Sequence, residues 1–498
     1  MTGPAAPGRP RNLGSAFAAR AAATPAAPYV STVDADGELA TLTFGQAWLA
    51  GLDLAARLAH AHGVRPGGLV AIVPTSGLAS VLTMWGGILA GAGVLMLDPA
   101  WSPRQRTEIA ARYGAVLIEG EVSPDGPAVV SGPPAAVSAG QTALVFNTSG
   151  STGIPKAVAL SHSAVLANAH SFRSHHGLDS GTRILTPLPL HHSNAVNTCL
   201  ISPLVSGGHS VLVPPSSLLD LPRWIARVEP TIISAVPSVL DALLTIWRGG
   251  ALPASVRYAL SAAAPLSRAT AEGLFDRLDL RVVQAYGLSE TVNFSTTMPV
   301  GLEPGRYRAL MLDLPVPSVG LAIPDVTLTV CDPDGSPVAP GQVGEVRISG
   351  PALMSGYLDS PEATAAVLRD GVFRTGDLGY LRDEPGVGAL LYLTGRLKNV
   401  AKVRGEQVSC EEVEHILRTM PEVADAGCVI VPDARDGERL VAGVVFRGDG
   451  GAEAVAAQLR AGWPERMMPR RIVTVDAVPR TSTGKLRRDE LRAVIDGS

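Results

Sequence analysis

Aromatic residues make up only 4% of this 498-residue chain and charged residues 17%, against 46% hydrophobic residues. So apolar a composition excludes a charge-rich disordered chain and predicts a globular, soluble one. A net charge of -4 without long basic runs gives no electrostatic case for nucleic acid as a partner. Cysteine is scarce. Cys199, Cys331, Cys410 and Cys428 lie scattered without Cys-x-x-Cys spacing, which argues against a zinc site or a disulfide framework and fits a reducing cytoplasm. No signal-peptide core is found in Met1–Arg11, which is rich in Pro, Gly and Ala, so residues 1–12 are expected to be a frayed, flexible terminus. The long uncharged run Leu78–Leu97 approaches bilayer length. Gly86-Gly87 and Gly91-Ala-Gly93 interrupt it, and neither an aromatic belt nor a positive cluster flanks it. It is expected to be a buried helix turning into a buried strand at Val94–Leu97, with no membrane span.

What is present is an alternation of helical and strand-like segments. Phe44–His62 is Ala/Leu-rich at helical spacing, Leu69–Val73 is a short apolar strand, and Pro103–Tyr113 is helical before the strand Ala115–Ile118. The alternation resumes with Ala157–Leu160, a helix capped by Ser161, and strands at Ile184–Leu188, Val211–Val213, Thr231–Ser234 and Arg257–Leu260. This predicts an α/β fold with parallel sheets. From Val326 to Ile348 short β runs broken by Asp332-Pro-Asp-Gly335 predict a small β-rich subdomain. A dense charge pattern then begins at Gly395. The expected organisation is a large multi-subdomain region over 13–394 and a small mobile α+β domain over 395–498.

The most informative stretch is Thr142–Ala157. A β-prone run feeds a loop in which Thr148, Ser149, Ser151 and Thr152 surround Gly150 and Gly153, with Lys156 just beyond Pro155. Glycines let backbone N–H groups approach oxyanions, hydroxyls donate further hydrogen bonds, and the lysine adds a point charge. It is not a Walker A loop, because the glycine spacing is short and Ala157 follows the lysine. Taken alone, such a run also reads as a polar surface turn.

Five further motifs follow in order: Gln284-Ala-Tyr-Gly-Leu-Ser-Glu290; Gly344–Gly350 with Gly356-Tyr357; Phe373-Arg-Thr-Gly-Asp-Leu378; Gly395-Arg-Leu-Lys398 with Lys402-Val-Arg-Gly405; and Pro479-Arg-Thr-Ser-Thr-Gly-Lys485. With the loop, these resemble the adenylate-forming superfamily of acyl-CoA synthetases, luciferases and peptide-synthetase adenylation domains, over nearly the whole chain. The resemblance implies ATP-dependent activation of a carboxylic acid as an acyl-adenylate, with pyrophosphate released, and transfer of the acyl group to coenzyme A. The implied cofactors are ATP and Mg²⁺.

The resemblance also implies roles. Lys485 bridges carboxylate and phosphate during adenylation, Glu290 holds Mg²⁺ with Ser289 beside it, and Asp377 accepts from the ribose hydroxyls. Tyr286 stacks on adenine near the backbone of Ala263 and Ala264, or is plain core. Arg396 contributes to the nucleotide site, Lys398 marks the hinge, and Lys402 serves the second half-reaction once the small domain has rotated. Read alone, this basic cluster is a solvated face. Around the acyl group the chain departs from the family pattern: Ala262 and Ala285 each replace a glycine, adding methyl groups that narrow the pocket. His192 matches a gating position, and Ser193 stands near where amino-acid-activating members carry an aspartate. Ser193, Asn194 and Asn197 make the pocket polar or satisfy their surroundings. The expected substrate is a small or aryl carboxylic acid. Adenylation with transfer to a carrier-protein phosphopantetheine or an amine, activation of another small oxyanion, and a non-catalytic nucleotide-binding relative are the other readings.

Overall fold

Short β-branched runs and capped amphipathic segments follow one another along the first 320 residues, and each becomes the element its pattern dictates. The computed structural model describes residues 10–34, 36–120, 134–148, 155–314, 316–403, 406–433, 435–448, 450–481 and 484–497. The helix Phe44–Ala61 starts at Thr43, which accepts from the Gln46 amide while the Gln46 side chain accepts from the Thr43 amide. Ser161 caps His162–His176 in the expected place. Asn12 caps Leu13–Ala23 and donates to the Val137 carbonyl.

Among the described residues these elements build two large sheets. The first runs Leu321–Ala322, Phe294–Thr297, Val282–Gly287, Tyr258–Ser261, Ile232–Ser234, Arg183–Thr186, His209–Leu212, Pro28–Val33 and Leu39–Thr43, parallel through its centre and antiparallel at its edges. The second runs Gly356–Tyr357, Ala157–Ser161, Thr142–Asn147, Gly93–Met96, Leu69–Ile72 and Ala115–Ile118. A shared apolar core joins them. The few aromatics are concentrated there: Phe17 lies 4.5 Å from Trp85 and 5.5 Å from Tyr29, which stacks on Phe44 at 4.8 Å. The polar edges of this cluster are satisfied, since Trp85 donates to the Tyr29 hydroxyl and Tyr29 donates to the Leu200 carbonyl.

The apolar run Leu78–Leu97 forms the helix Leu78–Leu89 and the strand Gly93–Met96 inside this core. Its glycines have a packing reason. A Cβ on Gly87 would lie 2.7 Å from Val70 and 2.8 Å from Val94, and one on Gly86 would lie 2.9 Å from Leu54. The glycines let the helix sit against the sheet. No helix among the described residues is long and apolar enough to cross a membrane.

A third, antiparallel sheet contains Thr327–Cys331, Gly344–Ser349, Leu368–Arg369, Val372–Glu384 and Gly388–Arg396. The last strand of this sheet ends at Arg396, and after the short turn Leu397–Asn399 the chain enters a fourth sheet with its own core. That sheet holds Val400–Val403, Glu406–Ser409, Val423–Asp433, Gly437–Phe446 and Arg471–Thr474, with helices Cys410–Thr419, Ala452–Gly462 and Arg488–Asp496.

Candidate active site

Asp377 lies in the long strand Val372–Glu384 rather than on a free turn. Glu345 pairs with Leu378 and Arg347 with Arg374, so the segment between them bulges opposite Val346. Gly376, at φ +69°, makes this possible, and Thr375 ties the bulge down by donating to the Val346 carbonyl at 2.6 Å. The bulge turns the buried Asp377 carboxylate toward Tyr286, whose hydroxyl donates to it at 2.8 Å, and toward Arg396, whose Nε lies 2.7 Å away. Burial pushes the Asp377 carboxyl up from its ordinary range, against the pull of Arg396. The pairing with Asp377 holds Arg396 firmly protonated. Tyr286 packs its ring among Val319, Val346, Ile348 and Leu391, so it is both core and anchor for Asp377.

Glu290 sits in the short turn of 3-10 helix Ser289–Thr291 and is buried. The Tyr357 hydroxyl donates to its Oε1 at 2.8 Å, and the Tyr357 ring lies under the Lys156 ammonium at 4.8 Å. Tyr357 thus joins the lysine of the glycine-rich loop to the carboxylate expected to face Mg²⁺. The neck of that loop is closed by the Thr148 amide donating to the Lys156 carbonyl at 2.9 Å. Ser149, Gly150, Ser151, Thr152 and Gly153 lie outside the described residues. Backbone strain flanks the site: Ala263 has φ +74° and Val292 φ +66°. Left-handed backbone costs an L-residue about 1–2 kcal/mol, and a β-branched residue there is a true outlier.

The far end of the chain reaches the same cleft. A Cβ on Gly484 would lie 3.3 Å from Ala264. Lys485, next in sequence, is exposed to solvent along its side chain, while protein groups crowd its ammonium. Desolvation lowers its pKa, Arg396 and Lys398 add repulsion, and Glu290 and Asp377 pull the other way. His192 feels the Lys485 charge as well; burial first, then His191 and Lys485, depress its imidazole to about 3. His192 is therefore neutral at pH 7, and its Nε2 is buried with no partner among the described residues. Ser193 is buried at the start of the helix Ser193–Val196. Ala262, just past the strand Tyr258–Ser261, and Ala285, within the neighbouring strand Val282–Gly287, are both buried. Asn194 and Asn197 each make a contact inside the protein, Thr198 donating to Asn194 and Asn197 donating to Asn168 at 2.5 Å, while Asn197 Oδ1 is buried with no partner among the described residues. Lys398 is in the turn Leu397–Asn399. Lys402 is not brought to the cleft; it is exposed on the strand Val400–Val403, its backbone amide donating to Glu438.

A buried carboxylate with one oxygen uncommitted to Tyr357, on the same cleft as a lysine and a second carboxylate, suits a hard cation carried by a phosphate ligand. Among the described residues there is no group of three or more His, Cys, Asp or Glu side chains that could hold a metal unaided. Mg²⁺ is usually held by one or two carboxylates, with water and substrate phosphates completing its shell.

Residues 117–358 match the model of AMP-binding enzymes, and residues 412–485 match that of the AMP-binding enzyme C-terminal domain. The chain belongs to the AMP-binding enzymes. This AMP-binding enzyme is 34% identical to the sulfoacetate–CoA ligase of Cupriavidus necator over 70% of its own length and 66% of that relative's. It is 30% identical to the feruloyl-CoA synthase of an Amycolatopsis species over 88% of its length and 91% of the relative's. The o-succinylbenzoate CoA synthetase of Bacillus subtilis, solved with its acyl-adenylate intermediate, superposes with a TM-score of 0.83 at 26% identity, covering 96% of this chain and 97% of that one. The same synthetase has been solved with ATP and a magnesium ion. The chain is an AMP-forming acid–thiol ligase with the α/β architecture of this family.

Two features of the site escaped sequence reasoning. Tyr357 was part of a motif without a role, because its contact with Glu290 spans 67 residues of chain. Arg480, buttressing the Lys485 hairpin through Asp425, had no local signal either.

Proposed function

We propose that this enzyme activates a small or aryl carboxylic acid with MgATP and passes the acyl group to coenzyme A. An acid oxygen attacks the α-phosphorus, the bond to the β-phosphate bridge breaks, and pyrophosphate leaves. The thiolate of coenzyme A then attacks the acyl carbon and AMP leaves. The observation that carries this reading is the meeting of Lys485 with Glu290, Asp377, Arg396 and His192 in one cleft. Neither step needs a protein nucleophile; both need charge held in position.

Lys485 neutralises charge shared by the attacking carboxylate and the α-phosphate. Thr148, Lys156 and the segment Ser149–Gly153 cradle the phosphates. Asp377, held by Tyr286 and Arg396, accepts from the ribose, and the backbone near Ala263 and Ala264 faces the base. Glu290, oriented by Tyr357, would hold Mg²⁺, which would supply further neutralisation of the triphosphate. Neutral His192 offers an uncharged edge to the acyl group, and the methyls of Ala262 and Ala285 shorten its pocket. The carboxylates and aryl acids named for the relatives, sulfoacetate, ferulate and o-succinylbenzoate, support a compact acid. The arrangement corresponds to the adenylating state. We assign the hinge to Leu397–Asn399, about which the domain to residue 498 rotates to bring Lys402 inward for transfer. Four buried free cysteines support a reducing, cytoplasmic setting.

Incubating the enzyme with ATP, Mg²⁺, coenzyme A and a panel of acids tests this reading. AMP, pyrophosphate and an acyl-CoA in equal amounts are expected. ADP with phosphate, or AMP without a thioester, would overturn it.

A further inference from the structure

The segment bearing Lys485 is tied to the body of the small domain through a side chain that comes just before it. Its own backbone closes it: Thr481 donates to the Lys485 carbonyl at 2.8 Å, and Gly484 donates to that of Thr481 at 2.9 Å. Arg480 also grips it. Arg480 Nη1 donates to the Gly484 carbonyl at 2.9 Å, while its Nε and Nη2 hold both oxygens of Asp425 at 3.0 and 2.8 Å. A guanidinium engaged on three sides cannot swing, so the peptide just before Lys485 is fixed to the strand Val423–Asp433.

Asp425 does not end the chain of contacts. Arg418 Nε reaches Asp425 Oδ1 at 3.1 Å, and Arg418 Nη2 reaches the buried Glu414 at 3.4 Å. Arg488 joins Glu414 to Glu411, lying 2.6 Å from the latter. Glu411 accepts from Asn399 in the hinge turn at 2.5 Å, and the Ser409 hydroxyl lies 3.0 Å from both Glu411 and the carbonyl of Thr394, in the last strand of the preceding sheet. Charges alternate from hinge to hairpin: Glu411, Arg488, Glu414, Arg418, Asp425, Arg480. Removing any one takes a partner from each partly buried opposite charge beside it, so the members support one another.

We propose that this strap of alternating charge ties the orientation of the hinge to that of Lys485, and that Arg480 and Asp425 are positioning residues for acyl-adenylate formation. The proposal rests on the reading of Lys485 as the adenylating lysine. Since Lys485 serves only the first step, loosening its hairpin slows that step alone.

The test compares the half-reactions in the full-length enzyme: ATP–pyrophosphate exchange with the best acid of the panel, and transfer to coenzyme A from preformed acyl-adenylate. Asp425→Asn keeps the shape and removes the charge; Arg480→Gln removes the grip. For each, the exchange kcat is expected to fall about tenfold with the KM for ATP within about twofold, the pattern of a misplaced group rather than lost ground-state binding. Transfer stays at the wild-type rate. The double variant is expected to be no worse than the poorer single one, because both remove the same contact. Equal loss of both half-reactions, or no loss of exchange, would overturn the strap. Lys485→Ala separates the two claims. If it retains exchange, the reading of Lys485 falls and the strap with it; if it loses exchange while Asp425→Asn keeps it, the strap alone falls.

Discussion

Lys485 and Tyr357 carry the sharpest expectations for single side chains. Lys485→Ala should lower adenylation by roughly 10²–10³-fold, the scale for removing one preorganised charge-stabilising donor. Exchange at the wild-type rate would contradict that role. Tyr357→Phe removes the hydroxyl that donates to Glu290 but keeps the ring under Lys156. A hydrogen bond to a charged group is worth about 1.5 kcal/mol or more, so the Mg²⁺ concentration for half-maximal rate should rise about tenfold, with ATP binding at saturating Mg²⁺ unchanged. A Mg²⁺ titration of the variant reads this directly, and an unshifted curve would detach Tyr357 from the metal carboxylate. Lys485, Glu290 and Asp377 could be singled out from the sequence because each stands in a short motif whose order along the chain is informative. Tyr357 was less legible: strand pairing of Gly356–Tyr357 with Ala157–Ser161 delivers it, and no local spacing encodes that meeting.

Among the elements, those with an apolar period were legible nearly to their ends. Leu78–Leu97 shows why: the glycines that excluded a membrane span are the contacts that seat the helix on Val70 and Val94. Thr375-Gly376-Asp377 was harder, since a Gly at positive φ beside Thr and Asp serves a turn or a bulge equally well. Only the pairing of Gly344–Ser349 with Val372–Glu384 decides for the bulge. The strand Val400–Val403 supplies the expectation at this scale. It holds Lys402 away from the cleft that Lys485 occupies, so Lys402→Ala should leave pyrophosphate exchange intact and slow acyl transfer. Equal loss of both would argue against a domain that presents its two lysines in turn.

For the whole molecule, burial of histidines sets the response to pH. Desolvation depresses His162 and His209 to about 4 and His192 to about 3, and lowers His175 and His176. In the unfolded chain each titrates near 6.5. Below that pH the unfolded state binds more protons than the folded one, so stability falls with pH from about 6.5 down to about 4. Each neutral histidine contributes up to about 1.4 kcal/mol per pH unit in that window. The melting temperature should therefore change little between pH 8 and 7 and drop clearly between pH 6.5 and 5. A flat profile across both ranges would mean that these rings are not held neutral. The acyl end of the molecule was the least legible part, because the amides that suggested a polar pocket also make contacts within the protein, to Asn168 and Thr198.

Acid activation in a short pocket is read most directly by ATP–pyrophosphate exchange with Mg²⁺ and no thiol. Across aliphatic, aryl, dicarboxylic and amino acids, exchange is expected with one compact or aryl class and not with long alkyl chains. Exchange driven best by a long fatty acid, or none with any acid in enzyme shown to bind ATP, would contradict it.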